Sequence, residues 1–447
     1  MADTANPGFR AVIVGGGPVG LCLAHAFTLV GIDYVLLERR ETAVEPAGFS
    51  VALWPHGVRI LDQLGLLEEG RKVYLPMKDK YNQWPDGSKM GYNTLYEEIE
   101  RSHGHPWMLF QRPVLLRLLY ERLRERESRV LTGKKVVSIE THEDGVKVHC
   151  HDGSVVEGSL VVGCDGVFSR VRSIMRDLRL ASGAGVSDGE TSMPAQYQLL
   201  TGSLPRVEHL PAGTIWETRN NKMNVQVFML EREGWFLAYK RLPEPVHQST
   251  PYTDDDARAF AHAFMDQPVV GKDMLFRDLW ALRKWARLLD LEEGFARHWY
   301  HDRIVLLGDA VHKMTPNAGL GLNQGWQGAV ALTNALRSLL STNPEPDARA
   351  LTAAFATYKT KTEKMAKDAY FLSKIYIRIT AWHNIAYKAA DYLGPYIGGD
   401  TVLLNMLASP FVKRGLVLDS IPEPGYKVGR IPWDNQPYKT EDEETDG

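Results

Sequence analysis

The sequence predicts an α/β protein with a Rossmann-like lobe, a second lobe built on an antiparallel β-sheet, and a C-terminal helical segment. Three observations predict it. The chain opens on a βαβ pattern around "AVIVGGGPVG". Two later stretches, "SLVVGCDGVFSRVRS" and "RIVLLGDAVHKMTPNAGLGLN", again run an apolar strand into a turn that carries an aspartate. Between them, "GTIWETRNNKMNVQVFMLEREGWFLAYKR" holds three strand-like runs joined by "RNNK" and "EREG", as in an antiparallel meander.

In the first pattern an apolar run enters Gly15-x-Gly17-x-x-Gly20, helical spacing continues to Val30, and "YVLLE" forms a second buried strand ending at Glu38. Gly15 permits a tight turn, Gly17 lets the backbone approach a pyrophosphate, and Gly20 brings the helix close to the strand. The free amides at the helix start then hold the phosphates. Glu38, 18 positions beyond Gly20, falls where an acid accepts hydrogen bonds from adenosine ribose hydroxyls, and Arg39 beside it is assigned to the same site. Strand, helix, strand and acid in register predict dinucleotide binding over a glycine turn with only a packing role. They do not choose between FAD and NAD(P).

The second pattern, around Asp165, reads equally well as a plain strand, turn and arginine-bearing helix start. The third is more demanding. A carboxylate at the end of a buried strand is costly unless hydrogen-bonded, so Asp309 calls for a polyol, a pair of amides or a cation. A ribityl chain supplies such hydroxyls. Gly319, Gly321 and Asn323 then open a helix whose free amides and positive dipole end can face the electron-rich edge of a reduced flavin.

Composition sets the outer bounds. With 447 residues, the chain is long for one core. A formal charge of −3 gives no reason to expect nucleic acid as a partner. Cys22, Cys150 and Cys164 read as separate buried thiols in a reducing compartment, with no metal-ligand spacing, so no metal is expected. No signal peptide or transmembrane span is evident, which predicts a cytoplasmic location. "AYFLSKIYIRITAWHNIAYKAADYL" reads as helix packed on the first lobe, with loose membrane-surface association as the alternative. Oligomeric state is left open.

Taken together, "GGGPVG" with Glu38, "GCDGVFSRVR" and "GDAVHKMTPNAGLGLN" resemble the three fingerprints of the single-component FAD-dependent aromatic hydroxylases and epoxidases, the group A flavoprotein monooxygenases. The similarity runs in order from about residue 10 to about residue 345. "GFSVALWPHGVRILDQLGL" resembles the loop and helix that pass over the flavin, and Arg112 in "QRPVLLRLL" resembles the family arginine near the flavin phosphates. Within the family, the look is closest to fungal enzymes acting on indole-diterpene, meroterpenoid and indole-alkaloid intermediates.

The resemblance implies a GR2-type FAD lobe with contacts from Glu38, Ala52, Arg112, Asp165, Asp309 and Leu322, those of Ala52 and Leu322 through backbone. It also implies NAD(P)H as a transient co-substrate and dioxygen activated as a flavin C4a-hydroperoxide. One oxygen atom would pass to an apolar small molecule, by epoxidation of an alkene or indole 2,3-bond, with rearrangement such as spiro-oxindole formation a further outcome, or by hydroxylation. The sequence departs from the family at Gln327 and Gly328, where a Glu-Asp pair is common.

The expected division is 1–178 for the first part of the FAD lobe, with an excursion near 75–105, and 179–290 for the substrate sheet. The second part of the FAD lobe follows at 291–350, then C-terminal helices at 351–430 and an acidic, disordered tail at 431–447. Trp216, Gln226, Phe228, Trp235 and Tyr239 are the candidates to line the substrate pocket, although any one aromatic taken alone reads first as sheet core. His56, His247 and His312 are given no role as proton carriers. Two rival readings use the same lobe as a scaffold: a non-redox cyclase and a dinucleotide-sensing binding protein. A flavin halogenase is disfavoured because no WxWxIP stretch is present.

Overall fold

A computed structural model describes residues 8–45, 50–183, 193–247, 251–397 and 399–438. Among these, two large sheets organise the chain. A six-stranded sheet runs in the order Tyr300–His301, Ile304–Leu306, Leu160–Gly163, Ala11–Val14, Tyr34–Leu37 and Val130–Leu131. Four of its five pairings are parallel, and only Tyr300–His301 pairs antiparallel, with Ile304–Leu306. Both faces are covered, so the strands read "AVIV", "YVLL" and "LVVG" with no polar alternation, and their side chains form the larger core.

The second sheet has seven strands, in the order Trp285–Glu292, Ala195–Pro205, Glu233–Val246, Met223–Met229, Thr214–Asn220, Asp79–Gln83 and Lys89–Asn93. The three predicted runs are the meander Thr214–Asn220, Met223–Met229 and Glu233–Val246, and Lys222 takes the left-handed conformation at the "RNNK" turn (φ 62°). The sheet is not wholly antiparallel, because Asp79–Gln83 pairs in parallel with Thr214–Asn220. One face packs on the helices Asp254–His262 and Phe276–Leu282 through Phe236, Phe260 and Phe276. The other faces the first lobe.

The helix Gly321–Leu340 lies against the opening helix Pro18–Val30 and the 33-residue helix Ala348–Thr380. The departures at Gln327 and Gly328 have local explanations. Gln327 is fully buried, donates to the His56 carbonyl (3.3 Å) and accepts from the Leu416 amide (2.5 Å). A carboxylate would keep the acceptor and lose the donor. At Gly328 an added Cβ would lie 3.0 Å from Leu307, so the position reflects close packing of that helix on its neighbours. Among the described residues, no helix is long and apolar enough to cross a membrane.

The first residues of the tail expected to be disordered are packed. Trp433 is buried, and its indole donates to the Lys427 carbonyl (2.9 Å); residues 439–447 lie outside the described residues. What fastens this segment is Arg59, fully buried and paired bidentately with the equally buried Glu423 (2.9 and 2.7 Å), its guanidinium 4.5 Å from the Trp433 ring. Breaking a buried pair from one side leaves a charge uncompensated. Arg59→Ala is expected to destabilise the fold by about 3–5 kcal/mol, with the double variant Arg59→Met/Glu423→Leu recovering most of the loss in denaturant unfolding.

Candidate active site

The parallel strands end level with one another. Val14 pairs with both Leu37 and Gly163, and Gly163 pairs with Leu306. The residues that follow these ends therefore leave the sheet along one edge, and they line a single cavity of about 870 Å³. Glu38 and Asp309 both line it, as do Gly15, Gly17, Arg39 and Asp165. Ala52, Arg112, Gly319, Gly321 and Leu322 complete the predicted set on its wall.

Two predicted residues stand behind this wall. Gly20 packs against the turn, where an added Cβ would come within 2.0 Å of the Gly15 carbonyl oxygen. Asn323 is fully buried and binds protein instead of the cavity. Its amide donates to the carbonyls of Ala52 (2.9 Å) and Gly319 (2.8 Å), and its oxygen accepts from the Trp54 amide (2.8 Å). This one side chain thus holds the strand Ser50–Leu53 against the glycine turn.

Glu38 is buried and accepts from the amides of Gly16 (2.8 Å) and Arg40 (2.9 Å), one on each oxygen. Each oxygen keeps a second lone pair. Asp165 caps the helix Arg170–Ala181, accepting from the Ser169 hydroxyl (2.5 Å) and the Arg170 amide (2.7 Å), so its structural role and its place on the cavity coexist. Arg172, whose role the sequence left open, donates to the carbonyls of Ala310 (2.8 Å) and Val167 (2.5 Å) and ties the second turn to the third.

Asp309 meets its expected need with a cation and is less buried than the strand end suggested. It sits in the short turn Gly308–Ala310, with its side chain 37% exposed, and it already has a cation in Lys313 (3.1 Å). It is therefore not a stranded buried acid. Arg112 is the reverse case: a half-buried guanidinium on the cavity wall, without a hydrogen bond or ion pair among the described residues. Burial, then Arg40, lower its pKa, against the pull of Glu45, Glu38 and Asp309. An anion in the cavity would relieve that position.

The glycines supply the rest of the fit. Both Pro18–Val30 and Gly321–Leu340 begin at the cavity without a side-chain cap. An added Cβ at Gly17 meets nothing within 4 Å, and at Gly321 only an Asp309 oxygen at 3.9 Å. Their small size thus answers to no neighbour in the protein. It leaves two sets of helix-start amides facing open space, as a pyrophosphate and an electron-rich ring require.

On the sheet side the predicted residues divide. Gln226 and Phe228 line the cavity, and with Trp107 and Asn317 they also line a smaller apolar pocket of about 100 Å³ that opens from it. Trp216 does not belong there. It pairs with Val227, one residue out of phase with Gln226 and Phe228, so it points to the opposite face and stacks on Tyr81 at 4.2 Å. Trp235 and Tyr239 are core: Tyr239 is fully buried behind Gln226, its hydroxyl 3.5 Å from the amide oxygen, and neither residue lines either cavity.

The pocket also takes Leu372, Tyr376, Asp400 and Leu404 from the C-terminal segment, which the sequence analysis did not assign to it. His312 is buried, and burial drives its pKa down to about 4; His56, likewise buried, is driven to about 3. Both are neutral at physiological pH. All three cysteines are buried free thiols.

Comparison with known proteins decides the family. A family model for an FAD binding domain matches residues 9–370. The FAD-dependent monooxygenase srdH of Neurospora crassa is 33% identical over 444 residues, covering 95% of this chain and 98% of that protein. The FAD-dependent monooxygenase ausM of Penicillium brasilianum is 35% identical over 397 residues, covering 87% and 83%. The chain belongs to the FAD-dependent monooxygenases. Its cofactor is FAD.

Among solved structures, Klebsiella pneumoniae HpxO complexed with FAD and uric acid superposes with a TM-score of 0.73, at 22% identity over 91% of this chain and 97% of that one. The Diels-Alderase PyrE3 superposes at 0.68, with 22% identity over 92% and 82%. The fold alone therefore does not separate redox from non-redox chemistry; the monooxygenase relatives do.

Asn323→Ala removes three hydrogen bonds from buried backbone groups. It is expected to destabilise the protein by about 3 kcal/mol and to weaken flavin retention, read as a lower melting temperature and a lower flavin-to-protein absorbance ratio.

Proposed function

We propose that this monooxygenase inserts one oxygen atom into an apolar secondary metabolite, by epoxidation of an alkene or indole 2,3-bond, with hydroxylation of an activated ring as the nearest variant. The observation that carries this reading is the apolar pocket opening from the cofactor cavity, joined to it through Trp107, Gln226, Phe228 and Asn317. NAD(P)H and dioxygen are the co-substrates. The fungal FAD-dependent monooxygenase relatives support the oxygenase chemistry.

The cavity residues fit FAD in named roles. The amides after Gly17 receive the pyrophosphate, Glu38 accepts from the adenosine ribose, and Arg112 supplies the missing countercharge for phosphate. Asp309, with Lys313 beside it, serves the ribityl hydroxyls, and the helix start at Gly321 and Leu322 faces the electron-rich ring edge. Ala52 borders the ring through backbone. Bound FAD supplies electrons taken from the nicotinamide and the activated oxygen.

The chain's own contribution is placement and exclusion of water. Trp54, Trp107, Ile215 and Phe228 give the pocket apolar walls that hold the reacting bond near the cofactor. Delivery of an oxygen atom to an electron-rich double bond requires no base from the protein. His56 and His312, whose pKa burial drives to about 3 and about 4, are weak proton acceptors, and neither lines the pocket.

Three measurements test the reading. The purified protein is expected to be yellow, and NADPH with a substrate is expected to bleach the flavin band under anaerobic conditions. Under isotopically labelled dioxygen, mass spectrometry is expected to find one labelled atom in the product; turnover with the flavin oxidised throughout would instead indicate a non-redox cyclase. For the cofactor site, Arg112→Ala is expected to raise the FAD dissociation constant roughly thirtyfold, from about 2 kcal/mol of lost charged hydrogen bonding.

A further inference from the structure

The apolar pocket ends on a buried ionic floor. Lys80 Nζ donates to the Tyr376 hydroxyl (2.6 Å) and Asp400 Oδ2 (2.7 Å), and lies 3.0 Å from Glu217 Oε2. The Tyr376 hydroxyl donates to Glu217 Oε2 (2.7 Å), and Gln226 Nε2 donates to Glu217 Oε1 (2.9 Å). Behind them Arg219 pairs with Asp391 (3.0 Å) and approaches Glu217 (3.7 Å).

The donors that Lys80 and Tyr376 present to the pocket are already used. An ammonium has three protons, and Lys80 faces three acceptors; a phenol has one, and Tyr376 gives it to Glu217. The acceptors are not used up. Asn82, Asn93 and Lys80 all donate to Asp400 Oδ2, which leaves Oδ1 without a donor among the described residues. Asn82 Oδ1, beside it, is buried without a partner. Asp400 is only 8% exposed, and it lines the pocket.

The charges point the same way. Lys80 and Arg219 oppose Glu217, Asp400 and Asp391, two cations against three carboxylates, an excess of one negative charge. Burial works against the Asp400 carboxylate, but Lys80 and Arg219 outweigh it and hold its pKa down to about 2. Burial likewise works against Lys80, whose pKa Asp400 and Glu217 push up to about 12. Both are ionised at neutral pH. A buried carboxylate with an unanswered oxygen, in surplus negative charge, is costly until something supplies a proton donor and positive charge.

We propose that the pocket selects apolar polycyclic substrates carrying one protonated amine, whose N–H donates to Asp400 Oδ1 while the rings lie against Trp54, Trp107, Phe228 and Leu372. The inference rests on the reading of this pocket as the place of oxygen insertion. It makes Asp400 a specificity-determining residue, and the aromatic walls add their own attraction for a cation.

The test compares tetrahydro-β-carboline with tetrahydrocarbazole, which share a three-ring skeleton and differ by a secondary amine in place of a methylene. Each is titrated at neutral pH into the FAD-loaded protein, and binding is read from the perturbed flavin absorbance. The amine is expected to bind at least about tenfold more tightly. Asp400→Asn, with its FAD content and melting temperature checked, is expected to cut that preference to about twofold or less.

Equal binding, a preference for the carbocycle or no binding of the amine by the unaltered protein overturns the proposal, whether or not the variant folds. A preference that survives in Asp400→Asn overturns the role of Asp400. Oxygen uptake and NADPH oxidation are followed separately on the same preparation. Failure of the monooxygenase reading therefore appears there, and failure of amine recognition appears in the titration.

Discussion

The level ends of the parallel strands are the constraint on which the site depends. Because Val14, Leu37, Gly163 and Leu306 lie in one row, four separate stretches of sequence leave the sheet at the same edge. Carboxylates at Glu38, Asp165 and Asp309 thereby come to one cavity, and contacts such as Arg172 with the Val167 and Ala310 carbonyls then tie the turns together. A slip of one residue in any pairing would exchange the side chains that pack on the two covered faces and move that strand's acid off the edge. Burial on both faces of the sheet fixes the register, so the core does the work of aligning the site.

Those parts of the site that follow directly from a strand end were legible in the sequence, because the physics is local. Gly15 needs its positive φ of 111°, Gly20 cannot accept a Cβ beside the Gly15 carbonyl, and Glu38 closes the strand that it terminates. What depended on pairing across the second sheet was not legible. Trp216 and Phe228 are equally aromatic, but only the register of Glu217 with Gln226 assigns them to opposite faces. Contributions from distant sequence were equally hidden: Arg172 reaches Ala310 across 138 positions, and Lys80 meets Asp400 across 320. One hint was present, since "DKYNQ" places Lys80 and Asn82 on the same side of a strand, an arrangement that an apolar core does not tolerate without partners.

Gln327 shows how a departure from a family pattern can be local repair. Its amide group bridges the His56 carbonyl to the Leu416 amide and so connects the helix over the cavity to the C-terminal segment. That segment returns to the first lobe and is pinned there by Arg59 and Glu423. The C-terminal quarter of the chain is thus structurally continuous with the cofactor lobe.

That continuity explains why the apolar pocket carries charge at all. Its closed end is built from two pieces of chain, the neighbouring strands that carry Lys80 and Glu217 and the C-terminal helices that carry Tyr376 and Asp400, which share a small apolar cluster through Ile377 and Ala381. An apolar contact between them would bury surface but would leave their relative position loosely specified, whereas a network of directional hydrogen bonds fixes it. The same network then sets the polarity of the pocket, because Lys80 and Tyr376 spend their protons in holding the two pieces together and Asp400 Oδ1 is left without a donor among the described residues. On the proposed reading, assembly of the pocket and recognition within it use one set of side chains. A substitution that changed which ligands are accepted would, by the same bonds, change how firmly the C-terminal helices hold the sheet.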